Sequence, residues 1–290
     1  MKNATRIEVQ LDNKTLTLES GVLAQQASGS CTVRQGDTIL FSAVTGADSP
    51  REGADFFPLQ VEYREKFYAA GRFPGGFFKR EARPAEKEIL TMRLTDRPIR
   101  PLFPEGYRNE VQINNMLLST DRQNEPDVLS ITAASTALTL SEIPFQGPIA
   151  GVRVGRVNGT FIVNPTHAEM LDSDIDLIYA GSHDLPLMIE GSADEVSDAD
   201  LVAAMKVAQE AVVKLVDAQL ELRRALGLPD KVIEQPAISA SDEALLQAAR
   251  AAVGTNLSEA LLIPGKKDRS RAVKAVQADL KAALTETFPE

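Results

Sequence analysis

One cysteine and two histidines in 290 residues leave little scope for redox or metal chemistry of the usual kinds. A lone Cys can form neither an intrachain disulfide nor a cysteine-based zinc cluster, and Cys31 sits in an alternating strand pattern that buries a thiol as a small hydrophobe. His167 and His183 fall in separate loops with no obvious partner, so they read as loop polarity rather than as catalytic groups. No apolar run approaches the ~20 residues that span a bilayer, and Met1–Arg6 leads into an amphipathic strand with no signal-peptide core. A cytoplasmic chain with no membrane role is expected. The phosphate-cradling spacing Gly-x4-Gly-Lys-Ser/Thr is missing too. Gly71–Lys79 and Pro264–Asp268 come nearest and neither fits, which argues against nucleotide hydrolysis of the P-loop type.

What is present is an acidic, ordinary globular composition: net charge −10 and 43% hydrophobic residues, enough for two domains with their own cores. One stretch departs from it. Arg64–Arg108 holds eleven of the 31 Lys and Arg but only six of the 41 Asp and Glu, together with five prolines. Clustered cations beside phenylalanines suit a phosphate backbone whose bases can stack, so single-stranded nucleic acid is the expected partner. Within the stretch, three glycines and a proline in Gly71–Gly76 defeat both helix and ladder. That places Phe77, Phe78, Lys79 and Arg80 at a loop tip.

A helix is expected to follow, opening at Arg83-Pro84 with Pro in its first position and Glu86 and Glu88 in the first turn. On it, Arg93 and Arg97 share a face, and Arg100 lies just past a break at Pro98. The bland alternative is that these arginines pair internally with Asp96, Glu86 and Glu88.

Elsewhere the first half is strand-rich. Hairpins are expected over Arg6–Glu19 around Asp12-Asn13, over Ser30–Val44 around Gln35-Gly36-Asp37, and over Ile149–Asn164 around Asn158-Gly159. Further strands are expected at Val61–Phe67, Glu110–Leu118, Asp174–Ala180 and Leu187–Glu190. Pro126–Ser141 reads as a helix buried all round, and Asp198–Ala225 as an amphipathic helix that stops at Gly227. Beyond about Gln235 no strand pattern remains; Asp242–Val253 and Lys267–Thr285 read as helices. Two domains follow, 1–234 and 235–290.

The run Phe56–Val111, FFPLQVEYREKFYAAGRFPGGFFKREARPAEKEILTMRLTDRPIRPLFPEGYRNEV, closely resembles the first core domain of the bacterial polynucleotide phosphorylase family. The resemblance implies an α+β fold of the ribonuclease PH kind, a small all-α domain after it, and a ring-shaped homotrimer. It also implies that the Phe-Phe loop lines a central channel and grips single-stranded RNA. Members usually carry Arg-Arg in the loop where this chain has Lys79-Arg80; lysine keeps the charge but loses the bidentate fork. Phe77, Phe78, Lys79, Arg80, Arg83, Arg93, Arg97 and Arg100 are the RNA-contacting residues so implied.

Such enzymes use inorganic phosphate to attack the last phosphodiester at an RNA 3′ end, with Mg²⁺, and release a nucleoside diphosphate. The resemblance implies that only a second core does this chemistry. At the start of the buried helix, where the active core has serines, stand Asn124-Glu125-Pro126-Asp127. In place of the metal-holding strand with its lysine stand Asp174, Asp176 and Ile178, half a metal site without its cation. No catalytic or metal-binding residue is therefore expected in this chain, which reads as part of a longer protein whose second core and RNA-binding modules lie elsewhere. The alternatives are a self-contained ribonuclease PH-type phosphorolytic exoribonuclease and a non-catalytic RNA- or protein-binding module.

Overall fold

Alternating apolar residues near the N-terminus build two hairpins, β1 (Thr5–Leu11) with β2 (Lys14–Ser20) and β3 (Gly29–Gln35) with β4 (Thr38–Gly46). Asp12 (φ +52°) and Gly36 (φ +60°) supply the left-handed residue that each two-residue turn needs. β5 (Leu59–Glu65) and β6 (Val111–Ser119) complete a six-stranded sheet of order β1-β2-β3-β4-β6-β5, in which only β5 and β6 run parallel. A second sheet of order β10-β9-β7-β8 comprises β7 (Ala150–Val157), β8 (Thr160–Val163), β9 (Ile175–Gly181) and β10 (Pro186–Ala193). Asn158 (φ +50°) and Gly159 (φ +77°) make its tight turn, as the Asn-Gly pair predicts. This computed structural model describes residues 4–233, 240–285 and 288.

α2 (Asp127–Leu140) lies against β3 and β4 of the first sheet, β7 of the second, and the helices α1 (Glu86–Ile99) and α4 (Asp198–Ala225). All fourteen of its residues are buried. On the strand side, Gly29 of β3 lets helix and sheet come close: a Cβ there would sit 2.1 Å from the carbonyl oxygen of Ala137. Most of the α2 hydroxyls find partners, Ser135 with Gln219 of α4 at 2.8 Å and Ser130 with Thr95 of α1 at 2.7 Å, and among them only Thr139 Oγ1 is left buried and unpaired. Around it, each fully buried Leu or Ile contributes about 1.5–3 kcal/mol.

Several expectations shift. α1 begins at Glu86, not at Pro84, because the Glu88 carboxylate accepts from Ala85 N at 2.6 Å and Glu65 N at 2.9 Å and fixes the helix start there. Pro98 does not break it; in the last turn proline forfeits a single helical bond, and a 3₁₀ turn, Arg100–Leu102, follows Ile99. Phe67 is outside β5 and opens a 3₁₀ turn, Phe67–Ala70. His167 is not in a loop but in the first turn of a short helix, α3 (His167–Leu171), opened by a Thr166–Glu169 capping box.

The chain divides into two compact units, Met1–Glu234 and Gln235–Glu290. The first has the α+β architecture just described. In the second, the described residues form α5 (Ala240–Val253), α6 (Asn256–Leu261) and α7 (Lys266–Thr285), with α7 packed on both others. The expected start of the second domain falls within 234–239, outside the described residues. The six residues of α6 are too few to show a period in the sequence.

Candidate nucleic-acid interface

Gly71, at φ +67°, ends the 3₁₀ turn, and the chain then runs as an irregular loop to Ala85. At its tip Lys79 N donates to Gly76 O at 3.0 Å with Lys79 itself left-handed, φ +50°. The tight turn throws its side chains outward. Phe77 and Phe78 are 94% and 80% exposed, edge to face with centroids 5.4 Å apart, so no apolar neighbour covers them. A third exposed ring, Phe73, holds the Lys79 ammonium 5.4 Å from its centroid. Phe73 was not singled out by the sequence; its only signal is being the next aromatic before the glycine pair.

The cations of this stretch divide by what faces them. Lys66 pairs with Glu81 at 2.5 Å, Arg64 with Glu88 at 3.4 Å, and Lys87 with Glu65 and Glu125 at 3.1 and 2.7 Å. Burial would lower Lys87, but Glu125 and Glu65 more than offset it and hold the ammonium above its usual range. Glu65, Glu81 and Glu88 are thereby occupied. Among the described residues, Arg72, Lys79, Arg80, Arg83 and Arg93 have no ion-pair partner.

On α1, Arg93 and Arg97 face an open groove of about 1020 Å³ shared with exposed Ile89 and Leu90 and with Ile178, Glu190 and Asp127. Arg97 reaches across it to Glu190 at 2.5 Å; both side chains stay half exposed. Arg100 is elsewhere. Its guanidinium binds both oxygens of Asp96 at 2.7 and 2.9 Å, donates to the carbonyls of Phe57 and Leu59, and lies 5.9 Å from the Phe57 ring centre. Internal pairing with Asp96 thus describes Arg100, while Glu86 and Glu88 take none of Arg93, Arg97 or Arg100.

At the far end of the groove the carboxylates of the buried helix are closed off. Asp127 accepts from Val128 N at 2.6 Å and from Arg153 at 2.6 Å, and Arg153 also grips Asp176. Burial raises the Asp127 carboxyl and Arg153 only partly opposes it. Arg156 binds Asp174 through two bonds of 2.9 and 2.6 Å and reaches Asp200, at the start of α4, at 3.0 Å. Hydrogen bonds from Arg156 hold the Asp174 carboxyl below its usual range. Asp174 itself precedes β9 rather than lying within it. His167, which had no evident partner in the sequence, lies 3.6 Å from Glu125, and His183 lies 3.2 Å from Asp184. The arginines of β7 were missed: only the register of β7 on β9, with Arg153 opposite Ile178 and Gly155 opposite Asp176, brings them to the aspartates.

This frame can be set beside known proteins. The sequence matches the 3′ exoribonuclease family, domain 1 over residues 12–144 and domain 2 over residues 147–211. The chain belongs to the 3′ exoribonuclease family. Among its relatives, it is 45% identical over 284 residues to a polyribonucleotide nucleotidyltransferase of Geotalea uraniireducens. It is 46% identical, also over 284 residues, to the same-named protein of Desulfosudis oleivorans. Each alignment covers 98% of this chain but only 40% and 39% of those relatives, so the chain spans about two fifths of their length. In fold it is similar to the crystal structure of rice (Oryza sativa) Rrp46, with a TM-score of 0.56 at 14% identity, over 77% of this chain and 95% of that one. The first match takes in β2 to β6 and α2, the second takes in the whole second sheet, and the two meet at the segment after α2.

Proposed function

We propose that this chain is the RNA-gripping first core of a polyribonucleotide nucleotidyltransferase, an enzyme that shortens single-stranded RNA from its 3′ end by phosphorolysis. In that reaction an oxygen of inorganic phosphate attacks the terminal phosphodiester, the shortened RNA leaves with its 3′ hydroxyl, and a nucleoside diphosphate is released. The observation that carries the reading is the loop. Among the described residues, Lys79, Arg80 and Arg83 stand without carboxylate partners in the loop of Phe77 and Phe78, two rings that none of those residues covers. Rings with no apolar neighbour and cations with no counter-charge fit bases and phosphates of a single strand. Arg93, and Arg97 once released from Glu190, extend the cationic track along the groove; Arg100, held by Asp96, stands outside it.

Catalysis belongs to a second core outside these residues, with Mg²⁺ and RNA-binding modules there, in a cytoplasmic homotrimer. The residues present do not fit a metal: Asp174 and Asp176 are each held by an arginine, and a cation would have to displace Arg156 and Arg153 first. Adding Mg²⁺ is therefore expected to leave the melting temperature of this chain unchanged, and a saturable rise would contradict that assignment. The RNA reading is tested with the Lys79→Ala/Arg80→Ala double variant. Affinity for single-stranded RNA is expected to fall whatever the sequence, and the slope of log K against log salt to become shallower by about 1.4. An unchanged affinity and slope would sink it.

A further inference from the structure

Behind the Phe-Phe loop lies a cleft of about 460 Å³ that shares only Arg83 with the track described above. Its walls are apolar, formed by Phe67, Ala70, Ala82 and Leu117, and Phe67 is 42% exposed there. Arg72 and Arg83 stand at its rim, one in each stem of the loop, and neither has a carboxylate partner among the described residues. The other charges of the cleft are spent on each other, Lys66 with Glu81 and Arg64 with Glu88.

The two halves of this cleft ask for different things. An exposed apolar wall gains from a flat ring that removes it from water, and an unpaired guanidinium fork gains from a bidentate oxyanion. A bare phosphate would leave the wall wet, and an apolar molecule would leave two arginines unused. A nucleotide satisfies both, and the volume lies within the range of small-molecule sites. We infer that the cleft takes one nucleotide of the RNA strand held at the loop tip, its base against the exposed ring of Phe67 and its phosphate between Arg72 and Arg83. The inference rests on the RNA-binding reading of the loop. It adds a subsite at the loop's base, and with it a register: one base of the strand is withdrawn from the stack and counted against the protein.

The test uses the whole chain, a fluorescent oligouridylate, and the same oligomer carrying a single abasic residue at successive positions. Arg72→Ala removes one side of the phosphate clamp. Ala82→Leu fills the cleft from an exposed wall residue without changing charge, so folding is preserved. Each is expected to weaken binding about tenfold. One abasic position should weaken binding to the unaltered chain and have no effect on Ala82→Leu. If Lys79→Ala/Arg80→Ala weakens binding while Arg72→Ala and Ala82→Leu match the unaltered chain, the cleft is not a subsite and the loop reading survives. If none of the chains binds the oligomer, both readings fall together.

Discussion

Arginines occur in two places that look alike in the sequence and differ in what stands opposite them. Around the loop, Arg72, Arg80 and Arg83 face solvent with no carboxylate beside them. On β7, Arg153 and Arg156 are largely buried and paired with Asp127, Asp176, Asp174 and Asp200. A guanidinium whose fork is filled by the protein's own acids holds elements together; one left open is available to a ligand's oxyanions. The same rule divides α1 from the 3₁₀ turn after it, where Arg93 is open and Arg100 is chelated by Asp96. Residue type and spacing alone do not separate the two kinds.

Breaking the closed set should cost the most. Arg153→Ala strips the buried Asp127 of its counter-charge and is expected to cost about 3–5 kcal/mol in a denaturant titration. An RNA affinity that fell with no loss of stability would place Arg153 in the open class instead.

Asp121 gives the comparison a third case, a carboxylate closed by neutral donors. It accepts from Gln123 N at 2.8 Å, Asn124 N at 2.9 Å and the Thr38 hydroxyl at 3.0 Å. Burial would raise its carboxyl, but the bonds from Asn124, Gln123 and Thr38 outweigh it and bring it down to about 2 from an ordinary 3.8. A depressed carboxyl adds stability that is full above 3.8 and is lost as pH falls towards about 2. Asp121→Ala should cost about 1–3 kcal/mol near neutrality and remove that part of the acid dependence, read from melting temperatures at each pH. An equal slope in both chains between those values would contradict it.

Opening the other set should move binding and leave folding alone. Lys79→Ala/Arg80→Ala is expected to lose about tenfold in RNA affinity, roughly 1.4 kcal/mol, with an unchanged melting temperature. The smallest and most discriminating contrast lies between α1 and the turn that follows it. Arg93→Ala should weaken RNA binding about two- to threefold without altering stability, whereas Arg100→Ala should lower stability by up to about 1 kcal/mol and leave affinity unchanged. Reversed roles would show that the open and closed classes are drawn wrongly.

Much of the frame was legible in the sequence because it depends on local pattern. Asp198–Ala225 is helical over the expected residues, and Asn158-Gly159 turns as its chemistry requires. The burial of α2 followed from apolar and small residues on every side. What was not legible depends on partners distant in sequence. The start of α1 was set by Glu88 reaching Glu65, 23 residues earlier, which overrode the preference of Pro84 for a first helical turn. Arg153 and Arg156 became visible only once β7 and β9 were in register. Arg100 looked like part of a track until Asp96 and two carbonyls of the Phe57–Leu59 segment were seen to hold it. The loop was read correctly as a tip of two rings and two cations, but the ring under Lys79, Phe73, was not.

The most direct measurement is nucleoside diphosphate release from single-stranded RNA by this chain, with inorganic phosphate and Mg²⁺, alongside RNA binding in the same buffer. Binding that depends on Lys79 and Arg80, without release, is predicted from open arginines at the loop and closed aspartates on the second sheet. Release that disappears in Asp174→Ala or Asp176→Ala would contradict it, because the carboxylates held by Arg153 and Arg156 would then be working ones.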